Sequence, residues 1–139
     1  MDLVRRNTDY AVRLLVNLAR QYGHGPVSTR VAASEEGVSY PLACKLMQKL
    51  HASKLIDSCM GPKGGFNLGR APSEITLLEV VEAIQGPISV NRCLLSSDAC
   101  TRQMGCSVRA KLAGVQETIV SSLAGITFDD LLQSKGAKQ

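Results

Sequence analysis

Three cysteines, Cys93, Cys100 and Cys106, stand in the pattern C-x6-C-x5-C. Soft thiolate sulfur donates strongly to iron–sulfur clusters, zinc and copper. Residues 88–106 carry no helical or strand period, so they read as one irregular loop. A loop has the backbone freedom to turn three sulfurs toward one centre. Zinc knuckles favour close C-x2–4-C pairs, and this sequence has none. Three thiolates also leave a tetrahedral metal or a four-iron cluster one ligand short. The competing reading is three unligated thiols, some of them buried. Two further cysteines lie outside the loop. Cys44 falls on a helix, where it reads as a small residue or a reserve thiol, and Cys59 falls in a strand, where it is expected to pack as an apolar side chain.

A second chemistry is written in the charge. The chain of 139 residues carries a formal net charge of +4. Residues 1–70 hold ten Lys/Arg against five Asp/Glu, while residues 71–139 hold six against seven. A basic front half on a near-neutral back half points to a polyanion contacted by the front. Hydrophobic residues make up 45% and charged residues 20%, enough for a packed core. Aromatics are 4% with no Trp, so that core must be aliphatic and largely helical. No run of 18 apolar residues occurs, and Met1–Tyr10 lacks the apolar stretch of a signal peptide, so a membrane span and secretion are not expected. A reducing cytosol follows as the expected compartment, with cysteines serving as ligands or redox thiols rather than staples.

These groups need elements to position them. Tyr10, Ala11, Leu14, Leu15, Leu18 and Tyr22 recur at helical spacing, predicting a helix over 8–22 capped by Thr8. Ser28 can cap a short helix to Glu36 with Val31, Ala32 and Ala33 as its apolar side. Gly37 and Val38 turn the chain, and Ser39 can cap a second helix, 40–51, with Pro41 in its first turn. Leu42, Leu46, Met47 and Leu50 form its buried stripe. This is the helix-turn-helix pattern. Residues 55–60 and 66–68 read as strands around a Gly61–Gly65 turn tipped by Lys63, which makes a wing. Thr76 and Glu79 open a helix that Gly86–Pro87 stops. Val108, Leu112, Val115, Ile119 and Leu123 step along a long helix over 107–124, a stripe suited to packing on a twin. Thr127 caps a last turn. The expected fold is mainly α with a small β-hairpin wing: a winged helix-turn-helix over 1–86, a cysteine loop over 87–106, and a dimerisation helix with a C-terminal segment over 107–139.

On the second helix Ser39, Tyr40, Lys45, Gln48 and Lys49 are candidate DNA contacts, the Lys and Gln for base edges and the Ser and Tyr for phosphates. Arg5, Arg6, Arg13, Arg30, Lys54 and Lys63 are candidate positioning charges. His24 and His51 neighbour no nucleophile. The sequence has no G-x-S-x-G, P-loop or H-E-x-x-H, so no enzyme is expected.

The whole chain resembles the winged-helix iron–sulfur transcriptional regulators typified by IscR, NsrR and RirA. The carrying segments are Asn7–Thr8–Asp9–Tyr10–Ala11–Val12–Arg13–Leu14–Leu15, the wing Gly61–Pro62–Lys63–Gly64–Gly65–Phe66–Asn67–Leu68, and Ile75–Thr76–Leu77 with Glu79–Val80–Val81–Glu82–Ala83–Ile84. The three cysteines and the ending Ile126–Thr127–Phe128–Asp129–Asp130–Leu131–Leu132 complete it. The resemblance implies a cytoplasmic homodimer on operator DNA, more often a repressor, with an iron–sulfur cluster that responds to nitric oxide, redox state or iron supply. It matches Cys93, Cys100 and Cys106 to the family's cysteine ligands. Arg109 stands where relatives can carry a histidine ligand to a [2Fe–2S] cluster, so a [4Fe–4S] cluster is favoured. Asp9, contributed across the dimer, matches the fourth ligand of some relatives; Cys44 is an alternative. Met60 stands where the family's wing often has an Arg. No small molecule is expected beyond nitric oxide or oxidants at the cluster. The alternative of the same fold is a cluster-free thiol–disulfide or zinc-dependent regulator.

Overall fold

The computed structural model describes residues 2–96 and 104–134. Cys100 lies outside them. Helix α1, Arg6–Arg20, carries an inward face of Ala11, Leu14, Leu15, Leu18 and Ala19. It begins two residues before Thr8, which is therefore not its cap. Arg5 holds the N-cap position without a side-chain bond, and Thr8 is fully buried within the first turn. Its hydroxyl donates away from the helix, to Oε1 of Gln85 at 2.7 Å.

Helix α2, Thr29–Glu36, is capped as expected: Ser28 Oγ accepts the Val31 N–H at 3.1 Å. It ends at Gly37, whose φ of 68° is the left-handed conformation that glycine adopts without steric cost. Its apolar side is narrower than expected, because Val31 is exposed while Ala32 and Ala33 are buried. Helix α3, Tyr40–Ala52, has Pro41 in its first turn and buries Ala43, Leu46, Met47 and Leu50. Ser39 occupies its N-cap position through the backbone alone, with no side-chain bond.

Strands β1, Ile56–Cys59, and β2, Gly65–Leu68, form an antiparallel hairpin with Ile56 opposite Leu68 and Cys59 opposite Gly65. A third segment joins it. Val27 and Phe66 exchange both backbone bonds, at 2.9 and 2.8 Å, so the outer edge of β2 is tied to the loop before α2. Gly65 is required at that junction, since a Cβ there would stand 2.2 Å from the Val27 carbonyl oxygen.

Helix α4, Leu77–Gln85, opens with a full capping box. Thr76 Oγ1 accepts the Glu79 N–H at 3.2 Å, and the Glu79 carboxylate accepts the Thr76 N–H at 2.9 Å. Arg70, just beyond β2, also binds Glu79, at 2.8 Å. Helix α5, Ser107–Ala124, differs from the others in having no buried residue; Val108 and Val115 are more than half exposed. Helix α6, Phe128–Gln133, returns to α1 and places Phe128 in the core with no exposure. The core is aliphatic apart from this ring. Backbone bonds from Leu77 to Ile126 and from Phe128 to Ile75 stitch α6 to the start of α4. No helix among the described residues is long and apolar enough to cross a membrane.

Glu79 carries a pH signature. Burial pushes its carboxyl up, but the Thr76 N–H and the Arg70 guanidinium outweigh that and hold it below its ordinary value. A depressed folded value stabilises the fold above the unfolded carboxylate pKa of about 4.3 and is lost as pH falls through the folded one. Its side chain is 38% exposed, so solvent screens the ion pair. We therefore expect Glu79→Ala to cost about 0.5–1 kcal/mol at neutral pH, chiefly from the cap. Urea unfolding should show the gap to wild type closing below about pH 4.

Candidate nucleic-acid interface and cysteine loop

With Ala43, Leu46, Met47 and Leu50 drawn inward, α3 presents Ser39, Tyr40, Lys45, Gln48 and Lys49 to solvent. All five candidate contacts are exposed on this one short stretch. Cys44 is half-buried among them. The guanidinium of Arg30, in the first turn of α2, lies 4.1 Å from the centroid of the Tyr40 ring. A cation over an aromatic face is held by the ring quadrupole. This contact fixes the starts of α2 and α3 to each other and keeps a positive charge beside the tyrosine.

The wing projects beyond the core. Lys63 is exposed in the turn between the strands, which the Gly64 N–H closes on the Gly61 carbonyl at 2.9 Å. Met60 is 94% exposed, a projecting side chain at the start of that turn. Cys59 does not pack. Only Ile56 of β1 is buried, and Asp57, Ser58 and Cys59 all face solvent: Val27 pairs on the β2 side of the hairpin, which leaves β1 as its outer strand. The His51 ring lies 6.1 Å from that of Phe66, joining the end of α3 to β2.

The N-terminal arm meets α3 and α4 at a shallow cleft lined by Arg5, Arg6, Asn7, Thr8, Lys49, Ile84 and Gln85. Three cations and no carboxylate line it. Gln85 makes three bonds to the arm and the first turn of α1, all unforeseen in the sequence. Its Oε1 accepts the Arg5 N–H at 3.1 Å as well as the Thr8 hydroxyl, and its Nε2 donates to the Leu3 carbonyl at 2.8 Å. Nothing local marks Gln85, the last residue of its helix; its partners lie about eighty positions away. Arg13 is engaged locally, 3.1 Å from Asp9 in an exposed i,i+4 pair. Asp9 thus sits near the start of α1 with one oxygen on Arg13 and its side chain about half exposed. Lys54 is exposed just after α3, with a positive φ of 62°.

Two of the three loop cysteines meet at one residue. Cys93 sits half-buried in a single 3-10 turn, Arg92–Leu94. Cys106 is the N-cap of α5, and its Sγ accepts the Arg109 N–H at 3.5 Å. Arg109 Nε in turn donates to the Cys93 carbonyl at 3.4 Å. The two cysteines therefore flank the segment 97–103, which contains Cys100 and lies outside the described residues. Cys93 through its carbonyl and Cys106 through its sulfur are thus both bonded to Arg109, and both thiols are of the soft donor type that a cluster takes. Among the described residues no three His, Cys, Asp or Glu side chains gather as a metal site. Cys44 and Cys59 belong to other elements.

A family model described as "Rrf2: Iron-dependent Transcriptional regulator" matches residues 4–134. The chain is 28% identical over 126 residues to the transcriptional regulator IscR of Xenorhabdus nematophila, covering 91% of this chain and 76% of that one. It is 28% identical over 119 residues to the transcriptional regulator CymR of Bacillus subtilis, covering 85% and 86%. Among solved structures, the B. subtilis CymR, described as the global cysteine regulator, superposes with a TM-score of 0.82 at 23% identity over 96% of this chain and 98% of that one. T. potens IscR superposes at 0.75 with 25% identity over 98% and 93%. These structures share the winged-helix fold seen here.

The Arg30–Tyr40 contact is measurable by itself. A double-mutant cycle on Arg30→Met and Tyr40→Leu, read by urea unfolding, should give a coupling of about 0.5–1 kcal/mol, the range for exposed cation–π pairs. Strict additivity would show that the two side chains do not hold each other.

Proposed function

The chain belongs to the Rrf2 family of transcriptional regulators, and on that premise we propose that it is a cytoplasmic, homodimeric repressor whose affinity for operator DNA is set by an iron–sulfur cluster. The observation that carries the DNA reading is the cleft where Arg5 and Arg6 stand with Lys49 of α3 and no carboxylate intervenes. Lys45, Gln48 and Lys49 read base edges, Ser39 and Tyr40 bind phosphates, and Lys63 reaches from the wing. Arg30 keeps Tyr40 in place. The protein is not an enzyme. Residues 1–86 form the DNA reader, 87–106 the sensor loop, and 107–139 the dimer helix with its C-terminal segment. A second copy covers the Val108, Leu112, Val115, Ile119 and Leu123 stripe, which leaves no residue of α5 buried in a single chain.

Cys93, Cys100 and Cys106 hold the cluster, with Asp9 of the second copy as fourth ligand to a [4Fe–4S] centre. When bound, the cluster would supply reactivity toward nitric oxide and oxidants, and its occupancy would follow iron supply. The chain's own part is to place sulfur at the start of α5, tie Cys93 to it through Arg109, and pass any change in the loop to its neighbours. A second reading is favoured by the equal likeness to CymR: a cluster-free regulator whose loop cysteines act as a thiol–disulfide pair or hold zinc.

Anaerobic purification separates these. The cluster reading expects a brown protein with near-equal iron and sulfide, bleached by Cys93→Ala; a colourless protein carrying zinc would sink it. Mössbauer spectra should change on Asp9→Ala and stay as wild type on Cys44→Ala. Binding to duplex DNA should weaken steeply with salt, and Lys63→Ala should lower the slope of log K against log[salt] by about 0.9 for each phosphate that the side chain no longer neutralises.

A further inference from the structure

Beyond the loop and the reading helix, one polar side chain occupies a position that the functional reading does not use. Gln85 ends α4, and the next residues, Gly86 and Pro87, begin the sensor loop. Its carboxamide makes three bonds to α1 and the segment before it. Oε1 accepts from the Arg5 backbone N–H and the Thr8 hydroxyl, and Nε2 donates to the Leu3 carbonyl. The arm has little else to hold it: residues 2–7 are all exposed, and Arg5 caps α1 without a side-chain bond. Two of the three bonds go to backbone atoms on either side of Val4, so they set the path of the main chain rather than one rotamer. That path carries Arg5 and Arg6 to the cleft they share with Lys49.

We propose that Gln85 is a positioning residue for DNA binding, holding the N-terminal arm so that Arg5 and Arg6 meet the phosphate backbone beside Lys49 of the reading helix. This rests on the DNA-binding reading above. Without Gln85 an exposed arm would sample many paths, and each arginine would lose that freedom only on meeting DNA, at a cost in entropy. Because Gln85 is also the last residue before the cysteine loop, the arm takes its position from the element that the loop adjoins.

The test is the salt dependence of binding to a mixed-sequence DNA duplex, measured on the full chain. Wild type, Gln85→Leu, Arg5→Gln/Arg6→Gln and the combined variant are compared. Gln85→Leu should bind more weakly and lower the slope of log K against log[salt] by about 1 to 2 for each arm released, since each neutralised phosphate contributes about 0.9. In the Arg5→Gln/Arg6→Gln background the same substitution should change the slope no further, because the charges it places are gone. Thr8→Val provides the structural control. It removes one bond to the same oxygen and lowers thermal stability, but it keeps both backbone links to the arm and so should keep the wild-type slope. A wild-type slope in Gln85→Leu, or an effect additive with the arginine substitutions, would overturn the positioning role while leaving DNA binding intact. A wild type with no salt-dependent duplex binding would overturn the DNA reading, and the positioning role with it.

Discussion

Burial of α1 is the constraint on which the rest of the fold depends. The helix is packed against α2, α3, α4, α6 and β2. Burying Leu14, Leu15 and Leu18 stabilises by about 1.5–3 kcal/mol each relative to exposure. The hydrophobic driving force is non-directional and does not by itself single out one register. What removes that freedom is the pair of polar residues the same face carries inward. Thr8 and Asn17 are the two buried polar residues among those described, and each would cost free energy if left unpaired. Thr8 donates to Gln85 of α4, and Asn17 Nδ2 donates to Glu35 at 2.7 Å and Glu36 at 3.1 Å, both of α2. One end of α1 is thereby registered to the helix that leads into the cysteine loop. The other is registered to the helix that carries Arg30. Apolar burial holds the domain together, and two hydrogen-bonded polar residues decide how its parts align.

How much of this is legible in the sequence follows from the range of the interactions. Caps whose partners lie three residues away are legible: Ser28 with Val31, Thr76 with Glu79, Thr127 with Asp130. So are the long α5 and the hairpin, whose periods are strong and whose turn is glycine-rich. Thr8 misleads because its type and place suit a cap, while its hydroxyl is claimed by a residue 77 positions on. The Val27–Phe66 bridge is invisible for the same reason: a single residue pairing with a strand has no period. Cys59 misleads because a strand ordinarily has a buried face, whereas a projecting hairpin has little to bury against. Phe128 lies beyond a long surface helix, where nothing in its neighbourhood says that it fills the core beside α1. At the candidate site, the exposed face of α3 is legible from its buried stripe. The arrangement around Gln85 and Arg109 is not, because it depends on which elements meet.

Two elements of this chain make sense only with something outside one copy of it. Helix α5 keeps an apolar stripe at a spacing that would normally be buried, yet none of its residues is. A helix of 18 residues gains little from intrinsic propensity alone and ordinarily owes its stability to packing. Its contacts within the chain are with α4 and the turn at Cys93. The remaining face is what a twin helix would complete. The wing is the opposite case, polar and exposed on nearly every residue of β1, with contacts to the rest of the domain made along β2, by Val27 at Phe66 and by the His51–Phe66 rings. An apolar uncovered face suits a permanent partner. A polar projecting hairpin suits one that comes and goes.

Helix α4 joins these two regions, and its construction makes it a poor absorber of strain. It has nine residues, two and a half turns, and spans about 13 Å. Its first turn is locked by the Thr76–Glu79 box, and through Arg70 that box is bound to the chain leaving the wing. Its last residue is bound to the arm, and the segment after it leads directly to Cys93. A displacement of the loop that moves the end of α4 cannot be taken up within so short a capped helix. It must be passed to the Arg70–Glu79 pair at one end or to the Gln85 bonds at the other. Arg70 and Glu79 are side chains about two-fifths exposed that can re-form their contact after small shifts. The Gln85 amide binds backbone atoms of Leu3 and Arg5 in the exposed arm and the hydroxyl of Thr8, which is fully buried in α1. Helix α4 is thus tied by side chains at both ends, to the chain leaving the wing at one and to the arm and the first turn of α1 at the other.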